Sequence, residues 1–138
     1  MQLSVNFNIE EFTRTNTGLH NIPGFVEREN LQQLVSNTLQ PARTMFGMPI
    51  TVTSGYRSPA VNAAVRGAST SQHVKGQAAD LVCADNARLF EILKQQPFDQ
   101  LIWEAGNDVQ PAWVHVSYNG MANRGQVMRM QNGQYYGL

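Results

Sequence analysis

The sequence predicts an α+β fold in which a small, mostly antiparallel sheet has flanking helices, and three observations support this class. Short runs rich in β-branched residues, at 49–54, 78–83 and 113–117, are typical of strands. Two longer segments, 27–46 and 86–95, carry apolar residues at helical spacing. The chain has 138 residues, of which 42% are hydrophobic. That is enough for one core and too little for two, so we expect a single domain over residues 1–138 with three or four short strands.

The N-terminal third is expected to hold one strand, a loop and the first long helix. Residues 3–9 alternate between apolar and polar side chains, as in a strand, and a short helical turn capped by Asn8 should follow. His20 lies in a polar loop, where a surface position is expected. The helix over 27–46 contains Pro41, and because proline has no amide hydrogen, the helix should kink or restart there.

Beyond this helix, the predicted elements are short. The strand 49–54 should deliver Tyr56 and Arg57 to its end, after which Pro59 begins a brief helix. Asp85 precedes the helix 86–95, where a carboxylate meets the positive end of the helix dipole.

The last two segments are a strand and a tail. A strand is expected over 99–104, and the tail after Asn119 has weak periodicity that suggests a final strand or hairpin covering the sheet.

Composition excludes several classes of function. Ten basic and ten acidic residues give no net charge, so neither nucleic acid nor an anionic membrane is expected as a partner. Separately, we expect the protein to be a monomer. The one cysteine, Cys83, lies in an apolar strand and should be a small buried residue, with a fourth metal ligand as the alternative. Without a membrane-length apolar run or signal-peptide features, the expected location is the cytoplasm unless another factor releases the protein.

The residues that carry chemistry are two histidines and an aspartate. His73 lies in a glycine-containing turn, and Asp80 follows it in the strand 78–83, where its charge needs a partner. His115 shares a strand face with Trp113. Two imidazoles and a carboxylate are the ligands that a catalytic zinc takes when it leaves one position open.

Simpler explanations exist for each of these residues. A lone histidine such as His115 is more often a hydrogen-bonded structural residue than a ligand, and Asp80 could instead form a buried salt bridge with Arg57. The combination favours a metal, because the chain has only three histidines and two of them lie in these strand-flanking polar segments.

Three blocks of the chain form a specific pattern: Ser-Gly-Tyr-Arg-Ser at 54–58, Ser-Gln-His-Val-Lys-Gly-Gln-Ala-Ala-Asp at 71–80 and Trp-Val-His-Val-Ser at 113–117. They resemble the signature blocks of the M15 zinc peptidases, which include D-Ala-D-Ala carboxypeptidases, D-Ala-D-Ala dipeptidases and phage L-Ala-D-Glu endolysins. The likeness is greatest to small phage and prophage members. It implies a fold like that of DD-peptidases and hedgehog domains, with zinc ligands at His73, Asp80 and His115.

The general base is the point at which the chain departs from this family. Several M15 members place a carboxylate three residues before the last histidine, where this chain has Ala112. Glu104 is the expected replacement, because it ends a strand whose hydrophobic residues would raise its pKa toward a useful range. Asp108, in a polar turn, is the reserve candidate, and a solvated strand end is the structural alternative for Glu104.

Arg57 is expected to hold the oxyanion of a tetrahedral intermediate or a substrate carboxylate, since its planar fork suits both. The resemblance also implies an arginine of this block at the active site, while a structural partnership with Asp80 is the alternative. The side chains proposed to line the peptide cleft are Ser71, Gln72, Trp113 and Tyr56.

These features predict a zinc-dependent peptidase that hydrolyses the peptide stems of bacterial peptidoglycan, at D-Ala-D-Ala or L-Ala-D-Glu bonds. A phage lytic enzyme, either released through a separate membrane lesion or carried in the virion, would fit the absence of a signal peptide. Two alternatives remain at this point: a non-catalytic zinc-binding domain, which Ala112 keeps open, and a metal-free phage structural protein that binds the wall.

Overall fold

A computed structural model of the protein describes residues 1–120 and 122–138. The helices of the described residues are α1 (Glu10–Thr13), α2 (Phe25–Leu34), α3 (Gln40–Phe46), α4 (Pro59–Ala64) and α5 (Asn86–Leu93), with a π-helical turn at Val35–Leu39 between α2 and α3. The strands are β1 (Ile50–Ser54), β2 (Ala78–Cys83), β3 (Gln100–Glu104), β4 (Trp113–Ser117), β5 (Gln126–Gln131) and β6 (Gln134–Gly137). None of these helices has the length and apolar character needed to cross a bilayer.

The six strands form one open sheet in the order β1-β2-β4-β3-β5-β6. Every neighbouring pair is antiparallel except β3 and β5, which run parallel. The predicted α+β class with a mostly antiparallel sheet is therefore confirmed. The expectation of three or four strands was too low, because the C-terminal tail contributes two more, which extend the edge of the sheet as a hairpin.

The two faces of the sheet differ in chemistry. Leu81, Leu101 and Val114 are fully buried on the face that packs against the helices. Because side chains alternate along a strand, the neighbouring residues Asp80 and His115 point to the opposite face. The helices and core thus act as a rigid support for a polar face.

The helical pattern over 27–46 is realised in three pieces. Helix α2 begins two residues earlier than expected, at Phe25, and passes through the π-helical turn into α3. Pro41 is the second residue of α3, and the predicted kink or restart takes the form of the π-helical turn directly before α3, with the backbone helical throughout. Because proline has no amide hydrogen, it cannot donate the bond to the preceding turn that a regular α-helix would form there.

The prediction of a strand over residues 3–9 was wrong. This segment forms a tight turn, in which the Leu3 amide donates to the Phe7 carbonyl oxygen over 2.8 Å, and one bridge joins Gln2 to Asn8. Leu3 and Phe7 are buried while Val5 between them is 82% exposed, whereas a strand would place all three side chains on one face. The Asn8 side chain makes no cap for α1, whose capping residue is Ile9.

Candidate metal centre and active-site cleft

His73 is held by the turn that precedes β2. Its amide is bonded to Ser71 Oγ, and Gly76 closes the turn at φ +73°, a left-handed conformation that favours glycine. A side chain at position 76 would also meet the backbone of α2, because an added Cβ would lie 2.4 Å from the Glu27 carbonyl oxygen. The turn therefore packs against α2 and buries the His73 imidazole.

The tautomer of His73 follows from its hydrogen bond. Nδ1 lies 2.7 Å from the Gly55 carbonyl oxygen, which can only accept, so Nδ1 carries the proton. The other ring nitrogen, Nε2, then has a free lone pair, and it faces Asp80 Oδ2 at 3.4 Å. A backbone carbonyl that fixes one nitrogen and leaves the other free is the usual support of a metal-binding histidine.

Asp80 and His115 are brought together by strand register. They are directly paired across β2 and β4, and His115 Nδ1 lies 2.9 Å from Asp80 Oδ1. Burial alone would raise the pKa of Asp80, but the contacts with His115 and His73 hold that pKa well below its ordinary value. Asp80 is therefore a carboxylate at any physiological pH and the electrostatic centre of the cluster.

The donor set fits a small divalent metal. One ligand atom from each of His73, Asp80 and His115 lies within 4.8 Å of the others. Two ligands of a tetrahedral zinc, each at about 2.1 Å, are separated by roughly 3.4 Å, which matches the His73 Nε2 to Asp80 Oδ2 distance. Small side-chain adjustments would thus let these three residues hold a metal ion.

Arg57 stands beside the cluster. Its Nη2 is 3.6 Å from Asp80 Oδ2, while Nε donates to Ser54 Oγ over 3.1 Å and Nη1 to Asn62 Oδ1 over 3.3 Å. The Arg57 amide also bonds to the His73 carbonyl oxygen. These contacts fix the guanidinium in place. The salt bridge between Arg57 and Asp80 that the sequence suggested is present, and it is the longest of the three side-chain contacts.

Glu104 ends β3 on the same face of the sheet. It is paired with Trp113, two residues before His115, so the glutamate and the histidine are diagonal neighbours. Gly106 makes the sharp exit from β3 possible, since a Cβ there would lie 2.2 Å from the Gln110 carbonyl oxygen.

The environment of Glu104 is apolar enough to change its chemistry. The residue is only 6% exposed, and within the described residues no cation lies within ion-pair distance of its carboxylate. Burial raises the pKa of Glu104 to about 7, the Asp80 charge adds to this rise, and His115 opposes it. A carboxyl with that pKa can both accept and donate a proton near neutral pH.

A cleft of about 640 Å³ opens above these groups, and the metal cluster, Arg57 and Glu104 all contribute to its surface. One wall is the loop over residues 66–72. The other wall comes from β3, β5 and β6, through side chains that include Ile102, Met128 and Tyr135. A segment of extended peptide could lie between the two walls with one bond over the cluster.

The family model for Peptidase M15 matches residues 5–117, most of the chain. The chain belongs to the M15 peptidase family. No curated protein matches the chain significantly. All three sequence blocks lie inside the matched region, whereas β5 and β6 lie beyond it, so the part of the M15 cleft formed by the C-terminal hairpin is not described by the family pattern.

The structure brings together most of the residues proposed from sequence. Ser71 and Gln72 line the M15 cleft with the cluster. Trp113 projects from the same face as His115 but does not form part of the cleft surface. Tyr56 is 6% exposed and packs in the core, where it borders a separate pocket.

Two other candidates lie away from the cluster. The Asp108 side chain is 90% exposed and pairs with Arg129 over 2.6 Å. Cys83 packs against the core, and burial raises the pKa of its thiol. His20 is exposed in its loop, as expected.

Among the cleft residues that were missed from sequence, three come from the C-terminal part of the chain: Arg124, Met128 and Tyr135. All three belong to the tail, whose periodicity is weak. A signal was nevertheless present, since Asn132-Gly133 is the dipeptide most typical of a two-residue hairpin turn, and both residues have positive φ angles of 52° and 76°. That turn pairs Met130 with Tyr135 and places both on the cleft face.

Proposed function

We propose that this M15 protein is a zinc-dependent peptidase that hydrolyses the peptide stems of bacterial peptidoglycan. The observation that carries the proposal is the convergence of His73, Asp80 and His115 in an open cleft of a chain that belongs to a peptidase family. The donor set is nitrogen and oxygen from two imidazoles and one carboxylate, which suits zinc at a catalytic site.

In this proposal, His73, Asp80 and His115 hold the metal and Glu104 moves the proton. A bound zinc ion supplies Lewis acidity, which polarises a carbonyl and makes water a nucleophile near neutral pH. Glu104, whose burial favours proton uptake, takes a proton from the attacking water and returns it to the leaving amine. Arg57, already fixed by Ser54 and Asn62, donates hydrogen bonds to the oxyanion that forms on the substrate.

The charge of the cleft supports an anionic peptide as substrate. Three arginines contribute to its surface, Arg57, Arg66 and Arg124, against two carboxylates, Asp80 and Glu104. Peptidoglycan stems carry free carboxylates, so they match this surface better than a neutral peptide would. The resemblance to small phage and prophage members further supports a cell-wall lytic role, with cleavage at a D-Ala-D-Ala or an L-Ala-D-Glu bond.

The deciding experiment is digestion of purified sacculi, with mass spectrometry of the released fragments. We expect new stem-peptide fragments from the zinc-loaded protein, none after chelation, and their return when zinc is added back. The masses of the fragments identify which bond is cut. Matched variants are His73→Ala in the cluster and His20→Ala in the exposed loop, and only the first should abolish cleavage and zinc binding.

A non-catalytic zinc-binding domain is the second candidate, because Ala112 replaces the carboxylate found in several relatives. It predicts stoichiometric zinc that depends on His73, with no fragments from sacculi. Wild-type protein that neither retains zinc nor cuts sacculi would overturn both candidates.

A further inference from the structure

The wall of the cleft formed by β5 and β6 lies outside the region that defines the family, which ends at residue 117. Strand β5 pairs in parallel with β3, so that Met130 is opposite Glu104, and β6 then places Tyr135 opposite Met130. These three residues form one row across the sheet, and all of them project from the face that carries the metal cluster.

Tyr135 is the polar residue that this row adds to the cleft. Its Cα lies two strand spacings from that of Glu104, about 10 Å, so both side chains can reach the same space. Partial burial of the half-exposed ring raises the pKa of the Tyr135 phenol, and the charges of Glu104 and Asp80 raise it further. The phenol therefore stays protonated at neutral pH and keeps a hydrogen to donate.

The neighbouring tyrosine has a different environment. Tyr136 is paired with Arg129 and points to the other face of the sheet, where its hydroxyl bonds to Gln134 Oε1 at 3.0 Å. The Tyr135 hydroxyl has no such partner among the described residues. Two adjacent tyrosines of similar exposure, 56% and 50%, thus differ in whether the hydroxyl is already bonded and whether it faces the cleft.

We propose that Tyr135 is a substrate-contacting residue, which donates a hydrogen bond from its hydroxyl to a carbonyl or carboxylate oxygen of the peptide in the cleft. This inference rests on the proposed peptidase function and adds a binding residue from outside the family pattern. A peptide between the two walls meets Arg57 on the side of β1 and Tyr135 on the side of β6, and so it is held across the metal cluster. This hydrogen bond forms in the enzyme–substrate complex and persists in the transition state, so its loss should raise KM more than it lowers kcat.

The test compares Tyr135→Phe with Tyr136→Phe, using a soluble stem peptide as substrate. Tyr135→Phe should raise KM by about 3- to 10-fold, the usual net value of one hydrogen bond, with kcat changed by less than about twofold. Tyr136→Phe should leave both constants unchanged. Zinc content and melting temperature should equal those of the wild type in both variants, because neither hydroxyl supports the core.

The outcomes separate this inference from the proposed function. Wild-type protein that cuts the peptide while Tyr135→Phe keeps the wild-type KM would overturn the role of Tyr135 alone. An equal rise of KM in both variants would also overturn it, since a general effect of the hairpin would then be responsible. Wild-type protein that neither cuts nor binds the peptide in calorimetry would remove the proposed function and this inference with it.

Discussion

Replacing Glu104 by glutamine should stabilise the metal-free protein while it removes activity. The substitution keeps the shape of the side chain and deletes its charge. A buried carboxylate without a cationic partner is unfavourable for folding, so the wild type carries a cost at this position that glutamine avoids. Residues whose removal stabilises a fold are typical of active sites.

The size of the effect follows from the pKa. Burial raises the pKa of Glu104 from 4.5 to about 7, which corresponds to roughly 3 kcal/mol between the charged and neutral forms. The folded state holds the proton more tightly than the unfolded state. The free energy of unfolding is therefore highest below the unfolded pKa, falls as the pH rises to about 7 and is level above that.

Thermal unfolding of zinc-free protein at about pH 4 and about pH 8 measures this effect. Wild type and Glu104→Gln should melt at similar temperatures at the lower pH. At the higher pH, the variant should melt roughly 10 °C above the wild type, given a domain of this size. Added zinc should reduce the difference, because a nearby divalent cation favours the charged carboxylate.

Activity supplies the second half of the test. Glu104→Gln should retain zinc, lose hydrolysis by at least about 10²-fold and lose the acidic limb of the pH–rate profile. The control is Asp108→Asn, which removes an exposed carboxylate and should be nearly silent in both assays. Full activity in Glu104→Gln, or a lower melting temperature at the higher pH, would refute the assignment of a buried general base.

Three further substitutions test the surroundings of the cluster. Asp80→Ala should lose stoichiometric zinc in elemental analysis and also hydrolysis, and retention of zinc would contradict its place in the cluster. Arg57→Lys should lower kcat by about 10²-fold or more with little change in melting, whereas lower melting with full activity would make Arg57 a structural partner. Asp99→Asn should reduce the free energy of unfolding by about 2 kcal/mol near neutral pH, because the Asp99 carboxylate is fully buried and accepts bonds from Arg124 and Gln72. The Arg124 hydrogen bond lowers the pKa of Asp99, so this difference should vanish as acidification protonates the wild type, and a difference that persists in acid would exclude the ion pair as its cause.

The strands and the cluster could be predicted because local pattern and residue type determine them. Asp80 lies in a run of small and β-branched residues, so its rigid strand backbone was readable, and its charge required a partner. The direct pairing of Asp80 with His115 depends on tertiary structure. However, two strands that each carry one ligand residue have few registers in which the two ligands come together. The face of His115 followed from alternation along β4.

The cleft walls could not be predicted in the same way. Tyr56 and Arg57 are adjacent in a segment after a strand end, where no periodicity decides which of the two faces the site, and it is Tyr56 that packs in the core. Trp113 has the face that sequence indicated, yet its position along β4 leaves it outside the cleft surface. The parallel pairing of β5 with β3 joins segments that are distant in the sequence, and no local sequence pattern predicts such a pairing.

The position of Glu104 is the basis of our proposal that it replaces the carboxylate absent at position 112. Ala112 donates its amide hydrogen to the Glu104 carbonyl oxygen over 2.9 Å, so the two positions are neighbours across the β3–β4 connection. Ala112 is exposed, and a carboxylate there would have an ordinary pKa, whereas Glu104 is buried and has a pKa raised to about 7. In this proposal, the carboxylate moves by one strand, stays beside the cluster and becomes a better proton acceptor. Ala112→Glu in the Glu104→Gln background tests this, because partial rescue of hydrolysis is expected if the two positions serve the same space. A double variant as inactive as Glu104→Gln alone would show that only position 104 reaches the attacking water.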